Sequence, residues 1–145
     1  MEVLTLWELQ LMRIDLSEKV EEITEGQDFA IGNDLVFLPD FEKSFNLLFK
    51  KRVYTQKEID YCDQFDNPIL RYASTWAAKE AVYKSIKQII PKAISFKKIE
   101  ITRSKIGGKP SVVLPELYKN LKLGLSLTHD GDYVWAVVIL KLINN

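Results

Sequence analysis

One short segment of this chain, "WAAKEAVYK", holds the residue types best suited to chemistry. Trp76, Glu80 and Lys84 recur in it at four-residue spacing, so on a helix they lie along one edge. Glu80 and Lys84 can form an ordinary helical ion pair at that spacing. The pattern therefore allows two interpretations: a solvated helix edge, or a surface that binds a charged ligand.

A second carboxylate lies in the apolar segment "FAIGNDLVFL", which predicts a strand over Phe29–Phe37. Asp34 is either paired inside this strand, where a lone charge is costly, or exposed at its end. Together, Asp34 and Glu80 could hold Mg²⁺, which prefers one or two carboxylates plus waters and substrate phosphates. The helix also offers candidate cations for those phosphates, namely Lys79, Lys84 and Lys87.

The only histidine, His129, lies in "SLTHDGDY", where a predicted strand meets a tight turn. Such a histidine is most often structural or solvated, although ligand-contacting groups also collect at strand ends. Cys62 is the only cysteine and lies beside acids that raise a thiol pKa, which favours a structural thiol over a nucleophile. One histidine and one cysteine exclude the usual structural zinc sites, and the phosphate-binding, dinucleotide and serine-hydrolase motifs are absent from the sequence.

Four helices are predicted from periodicity and capping signals. The long helix has a broad apolar arc, so it should be mostly buried across a sheet, and Pro91 ends it. "TQKE" is a capping box that opens a short helix. The predicted ranges are about 4–25, 40–50, 55–64 and 70–90.

Alternation with a period of two predicts strands after Pro91. The segments are "ISFKKIEITR", "SVVL", "LKLGLSLTHD" and "VWAVVILKL". The order of one strand, several helices and a strand meander indicates an α+β fold: a mainly antiparallel sheet with a long buried helix packed on it.

Composition limits the possible function classes. The 145 residues suit one domain, which we assign to residues 29–145, preceded by an arm over residues 1–28 that we predict to be helical. Twenty basic and twenty acidic residues argue against a nucleic-acid coat protein, despite the basic segment "FKKR". No apolar run approaches the roughly 20 residues of a membrane span. A lone cysteine and an N-terminus unlike a secretory signal lead us to expect a cytoplasmic protein.

Taken in order, these segments resemble the 4′-phosphopantetheinyl transferases, specifically the short holo-acyl-carrier-protein synthase type. "AIGNDLVFL" is similar to the family's G-x-D strand, and "FKKRVYTQKEIDYC" to its F-x-x-R-x-x-T-x-x-E segment. "WAAKEAVYK" is similar to its W/F-x-x-K-E-A-x-x-K helix. The resemblance continues to about Leu142 and covers about four fifths of the chain.

The resemblance implies a Mg²⁺-dependent enzyme. Such an enzyme transfers 4′-phosphopantetheine from coenzyme A to a serine of an apo acyl carrier protein and releases adenosine 3′,5′-bisphosphate. By motif, Asp34 and Glu80 would ligate Mg²⁺, and Lys84 would contact the phosphates and stabilise the leaving group. Lys79 and His129 would line the coenzyme A site, and Glu80 would take the serine proton.

Short family members work as homotrimers whose sites are shared between neighbouring subunits, so His129 of one subunit could reach the site of the next. Three positions depart from the family pattern: Thr75 replaces an Arg, "IKQIIP" replaces a glycine-containing loop, and Asp40 replaces a basic residue that helps bind the carrier. The alternative is thus a catalytically inactive relative that serves as a coenzyme A-binding or assembly module. The sequence leaves open whether the acceptor serves a fatty-acid, polyketide or other synthase.

Overall fold

The computed structural model describes residues 29–104 and 108–143. It contains the following helices and strands in chain order: β1 (Phe29–Phe37), α1 (Leu38–Ser44), α2 (Leu47–Val53), α3 (Gln56–Asp63), α4 (Pro68–Lys87), β2 (Glu100–Arg103), β3 (Pro110–Val113), β4 (Leu121–Asp130) and β5 (Tyr133–Leu142). Short 3-10 turns lie at Phe96–Lys98 and Glu116–Tyr118. This content confirms the predicted α+β class. The predicted arm lies outside the described residues.

Two antiparallel sheets are present in the described part of the chain. The larger has the strand order β1-β5-β4, and the smaller pairs β2 with β3. β4 and β5 form a hairpin whose turn contains Gly131 at a φ of 56°, a conformation that glycine adopts without steric cost. Asp34 is paired in register with Ala136, and Ala136 with Leu127.

Helix α4 packs across the larger sheet, as the broad apolar arc predicts. Small residues allow the close approach: Ala73, Ala77, Ala78 and Ala81 are completely buried. β1 contributes Gly32, where a Cβ atom would lie 1.9 Å from the Ala81 carbonyl oxygen. The helix backbone therefore rests directly on the strand at this point. In the described residues, no helix is long and apolar enough to cross a membrane.

The region between β1 and α3 differs from the prediction of one helix over 40–50. It forms two helices: α1 ends before Phe45, whose backbone is extended, and Asn46 caps α2 with its side-chain oxygen, 2.9 Å from the Phe49 amide nitrogen. Pro39 lies in the first turn of α1, where a missing amide proton costs nothing. The capping box is confirmed: Thr55 Oγ1 accepts from the Glu58 amide, and a Glu58 carboxylate oxygen accepts from the Thr55 amide.

The segment "ISFKKIEITR" also differs from the prediction of a continuous strand. Residues 96–98 form a 3-10 turn, and only Glu100–Arg103 pair with β3. The turn is stabilised because it presents the Phe96 carbonyl oxygen to Lys79, a tertiary contact that alternation along the sequence cannot reveal.

Candidate functional site

Asp34 forms the centre of the candidate site. The residue is 3% exposed, so the interpretation of a solvated strand-end carboxylate is wrong. The ammonium of Lys84 lies 3.1 Å from Asp34 Oδ1 and also donates to the Asn33 carbonyl oxygen at 3.2 Å. The strand carboxylate and the helix cation, which the sequence places far apart, are therefore in direct contact.

Glu80 lies one turn before Lys84 on the same edge of α4 and is half-buried. Contacts along the helix show which part of β1 it faces. Gln88 donates to the Ile31 carbonyl oxygen at 2.7 Å, and Lys84, one turn earlier, reaches Asn33 and Asp34. The next turn, which carries Glu80, therefore continues along β1 on the Asp34 side. Both predicted carboxylates lie at one edge of the helix–strand contact.

Gly32 explains how the G-x-D pattern serves this site. Any side chain at that position would collide with the helix backbone, since a Cβ atom would also lie 2.9 Å from the Ser85 amide nitrogen. The missing side chain lets Ala81 and Ser85 contact β1, and Lys84 lies between them in sequence. The signal for this role in the sequence is a glycine inside an apolar strand, two residues before the charged Asp34.

Lys79 has a different environment from the one expected. Its side chain is completely buried, and its ammonium lies 2.6 Å from Glu58 Oε1. It also donates to the carbonyl oxygens of Val53 and Phe96, each at 2.8 Å. Burial lowers the pKa of Lys79, while the adjacent Glu58 carboxylate opposes that shift. These contacts favour a structural role for Lys79 over the predicted roles of facing phosphates and lining a coenzyme A site.

Lys87 is the exposed cation of the candidate set. It lies in the last turn of α4, with its ammonium 5.5 Å from the centre of the Tyr83 ring. Tyr83 contacts Phe96, which contacts Trp76, with ring centroids 5.2 and 4.9 Å apart. A partly exposed aromatic surface thus runs along α4 next to the edge that carries Glu80.

His129 is exposed near the end of β4, and its Nε2 lies 2.9 Å from the Gly131 carbonyl oxygen. It pairs in register with Val134, which in turn pairs with Val36. Two strand spacings, about 10 Å, separate β4 from β1. Within one chain, the structure therefore does not bring His129 to the Asp34–Lys84 pair.

The donor set suits a magnesium ion. Asp34 and Glu80 are the residues that would supply carboxylate oxygens, and Mg²⁺ is commonly held by one or two carboxylates while it keeps waters and substrate phosphates. Across residues 29–104 and 108–143, no three His, Cys, Asp or Glu side chains cluster closely enough to hold a metal ion.

Residues 30–138 match the family model described as the 4′-phosphopantetheinyl transferase superfamily. The chain belongs to this superfamily. It is 34% identical over 120 residues to the holo-[acyl-carrier-protein] synthase of Chlamydia caviae, covering 78% of this chain and 97% of that protein. The match confirms the family, the fold and the enzyme class that the three motifs predicted.

Solved structures of the superfamily agree. The coenzyme A complex of the synthase from Chronobacterium ammoniagenes superposes with a TM-score of 0.69 at 26% identity, covering 80% of this chain and 98% of that chain. The enzyme from Neisseria meningitidis gives a TM-score of 0.66 at 31% identity, covering 77% and 97%. Both matches cover nearly the whole length of the solved protein.

The Thr75 departure from the superfamily pattern has a structural explanation. Thr75 is completely buried, and its hydroxyl oxygen lies 3.2 Å from the Arg103 guanidinium. Arg103 also stacks on the Tyr61 ring, with its guanidinium carbon 4.7 Å from the ring centre. A cation is thus present beside position 75, supplied by β2. Position 75 faces the interior. The replacement of the superfamily's Arg by Thr75 in α4 therefore removes no solvent-facing phosphate contact.

Proposed function

We propose that this protein transfers the 4′-phosphopantetheine group of coenzyme A to a serine of an apo acyl carrier protein. The contact between Lys84 and Asp34 carries the proposal, because it assembles a charged site from the G-x-D strand and the K-E-A helix, both of which lie within the residues 30–138 that match the superfamily model. The related enzymes are named for the same acceptor, and one was solved with coenzyme A.

The reaction follows from the pyrophosphate of coenzyme A. The acceptor serine oxygen attacks the phosphorus that carries the pantetheine arm, and the bond from this phosphorus to the bridging oxygen breaks. Adenosine 3′,5′-bisphosphate leaves with that bond's electron pair, and the serine proton passes to a base. Glu80 is half-buried at the surface of α4 and is our candidate for that base. Lys84 stabilises the charge of the leaving group, in a reaction dominated by positioning and electrostatics.

A magnesium ion fits the site, with Asp34 and Glu80 as its protein ligands. When bound, it supplies positive charge beside the phosphate oxygens. Asp34 is oriented for this role by Lys84, whose side chain is 37% exposed while that of Asp34 is 4% exposed. The carboxylate is thus fixed at the interior side, and the ammonium remains accessible to a phosphate.

Helix α2 supplies a candidate surface for the carrier protein. Leu47 and Leu48 are 68% and 57% exposed, and three cations follow them in the same helix, Lys50, Lys51 and Arg52. We call the edge of α4 that carries Trp76, Glu80 and Lys84 the catalytic edge. Phe49 connects α2 to this edge, because its ring centroid is 5.0 Å from that of Trp76. An exposed apolar pair followed by cations suits an acidic partner with an apolar patch. These cations compensate for the basic carrier-binding residue that Asp40 replaces.

A homotrimer is part of the proposal. On the sheet face opposite α4, Phe29 and Ile139 are 37% and 52% exposed, and Ile139 pairs in register with Ile31. An exposed apolar face of this kind is typical of a surface that another subunit covers. A neighbouring subunit would also supply the His129 that one chain alone keeps away from Asp34.

The decisive assay combines the protein with coenzyme A, Mg²⁺ and a panel of apo carrier proteins. Mass spectrometry of the carrier should show one added phosphopantetheine group, and omission of Mg²⁺ should abolish it. Coenzyme A binding without transfer to any carrier would favour the alternative of an inactive binding module. The absence of both coenzyme A binding and transfer would reject both functions.

A further inference from the structure

The charged pair in the interior of the protein, Glu58 and Lys79, has no part in the chemistry proposed above. Both side chains are completely buried, and Lys79 Nζ lies 2.6 Å from Glu58 Oε1. A buried ion pair usually stabilises a protein no better than apolar residues of the same volume would. Its presence inside the core therefore calls for an explanation other than stability.

The pair connects four segments to one atom of α4. The Lys79 ammonium donates to the backbone carbonyl oxygens of Val53 and Phe96, each at 2.8 Å from its nitrogen. The Glu58 carboxylate accepts from the backbone amides of Thr55 and Ile101, also at 2.8 Å each. Helices α2 and α3, the 3-10 turn and strand β2 are thus attached to α4 at Lys79.

Helical geometry relates this attachment to the site. Each residue advances about 100° around the helix axis. With Lys79 taken as about 0°, the two residues that contact Gly32, Ala81 and Ser85, lie at about 200° and 240°. Glu80 and Lys84 lie at about 100° and 140°, between the two attachments. The helix is therefore held on both sides of the edge that carries the site.

We infer that Glu58 is a positioning residue for the transferase site, acting through Lys79 to fix the rotation of α4 and so the direction of Glu80 and Lys84 toward Asp34. The inference rests on the proposed function, since it concerns the same three site residues. It predicts that the charge and geometry of the pair matter to the reaction beyond their effect on stability. A misplacement of about 1 Å can lower a rate about 100-fold.

The test separates stability from positioning with a neutral pair. Glu58→Gln alone leaves a buried ammonium without a carboxylate and should lower both thermal stability and kcat. Glu58→Gln combined with Lys79→Met removes both charges, so thermal stability should recover relative to the single variant. We expect kcat to stay about 10- to 100-fold below that of the wild type, with weaker Mg²⁺-dependent coenzyme A binding by calorimetry.

A matched control is available on the same face of α4. Ile86 is completely buried and lies two turns after Lys79, at about the same angle. Ile86→Ala should destabilise the protein and keep kcat near the wild-type value well below the melting temperature. Glu58→Asp keeps both charges and shortens one side chain. It should fold and lower kcat several-fold, with an unchanged KM for the carrier.

The outcomes are distinct. Wild-type kcat and coenzyme A affinity in either the double variant or Glu58→Asp, with Glu80→Gln inactive, would overturn the positioning role and leave the proposed function intact. A wild-type protein without any transfer would overturn the function itself. Reduced kcat in both the double variant and Glu58→Asp, alongside an active Ile86→Ala, would support the inference.

Discussion

Lys84 and Asp34 are 50 residues apart in the chain, yet the ammonium nitrogen of one lies 3.1 Å from a carboxylate oxygen of the other. The contact joins the long helix α4 to strand β1 at the point where Gly32 allows the helix backbone closest to the sheet. It orients a nearly buried carboxylate while its cation remains partly accessible. The predictions below follow from this relationship and from its surroundings.

Glu80→Gln should lower kcat about 10²- to 10³-fold, because an amide cannot accept the serine proton and is a weaker ligand for Mg²⁺. The side chain is half-buried and its volume is conserved, so thermal denaturation should show a folded protein. Glu116→Gln is a suitable control, since that side chain is 89% exposed in a 3-10 turn. Activity of Glu80→Gln near the control's level would contradict the role of Glu80.

Gly32→Ala should destabilise the protein by about 3 kcal/mol or more, because the new methyl group would overlap backbone atoms that cannot move independently. Urea denaturation measures this change in the free energy of unfolding. Gly124→Ala is the matched control: it also lies in a strand of the larger sheet, but no atom lies within 4 Å of the added Cβ atom. Equal effects of the two substitutions would show that the close approach at Gly32 is unimportant.

Cys62 should make stability depend on pH in the alkaline range. Burial raises the pKa of its thiol to about 11 from an ordinary value near 9. Between these two values the unfolded chain loses the proton and the folded protein retains it. The unfolded state then binds fewer protons, so the free energy of unfolding falls as pH rises. The loss contributed by this thiol between pH 9 and 11 should approach about 2–3 kcal/mol.

Comparison with Cys62→Ala isolates that contribution. Urea denaturation of both proteins from pH 8 to 11 should give a shallower decline for the variant. The pKa of Tyr54 is raised first by burial, so this group adds a decline in both proteins, while the second cause, the Cys62 charge, is removed in Cys62→Ala. Parallel declines in the two proteins would show that Cys62 is not the responsible group.

Charge reversal on α2 should affect carrier binding and spare the chemical step. Lys51→Glu with Arg52→Glu should raise KM for an acidic carrier about 10-fold or more, most strongly at low salt, with little change in kcat. Both residues are exposed and lie outside the catalytic edge. Lys92→Glu with Lys122→Glu makes the same change of charge at exposed positions elsewhere. A similar KM in both double variants would exclude α2 as the carrier surface.

Local signals predicted elements correctly where the stabilising contacts are local. The capping box at Thr55 and Glu58 joins residues three apart, so both partners are visible in the sequence. The apolar arc of α4 likewise reports burial directly, and Pro91 limits its end. The helix over Pro68–Lys87 therefore agrees with the predicted 70–90 to within a few residues.

Predictions failed where distant contacts decide the structure. Lys79 was predicted as a cation that faces substrate phosphates, but its side chain reaches Glu58, 21 residues earlier in the chain, inside the core. Glu58 was visible only as a capping residue, although it also accepts from the Ile101 amide. A helical wheel places Lys79 at about the angle of the buried Ile86, but it cannot show that a carboxylate from another helix pairs with the lysine there.

The sequence alone determined the fold class, the family and the types of residue at the site, because periodicity, capping and the order of the motifs are local properties of the chain. The tertiary structure decided which of the helix cations faces Asp34. Lys84 does so and Lys79 does not, because Gly32 and the buried Glu58 hold α4 from two sides and fix its rotation. That rotation depends on contacts between segments that lie far apart in sequence.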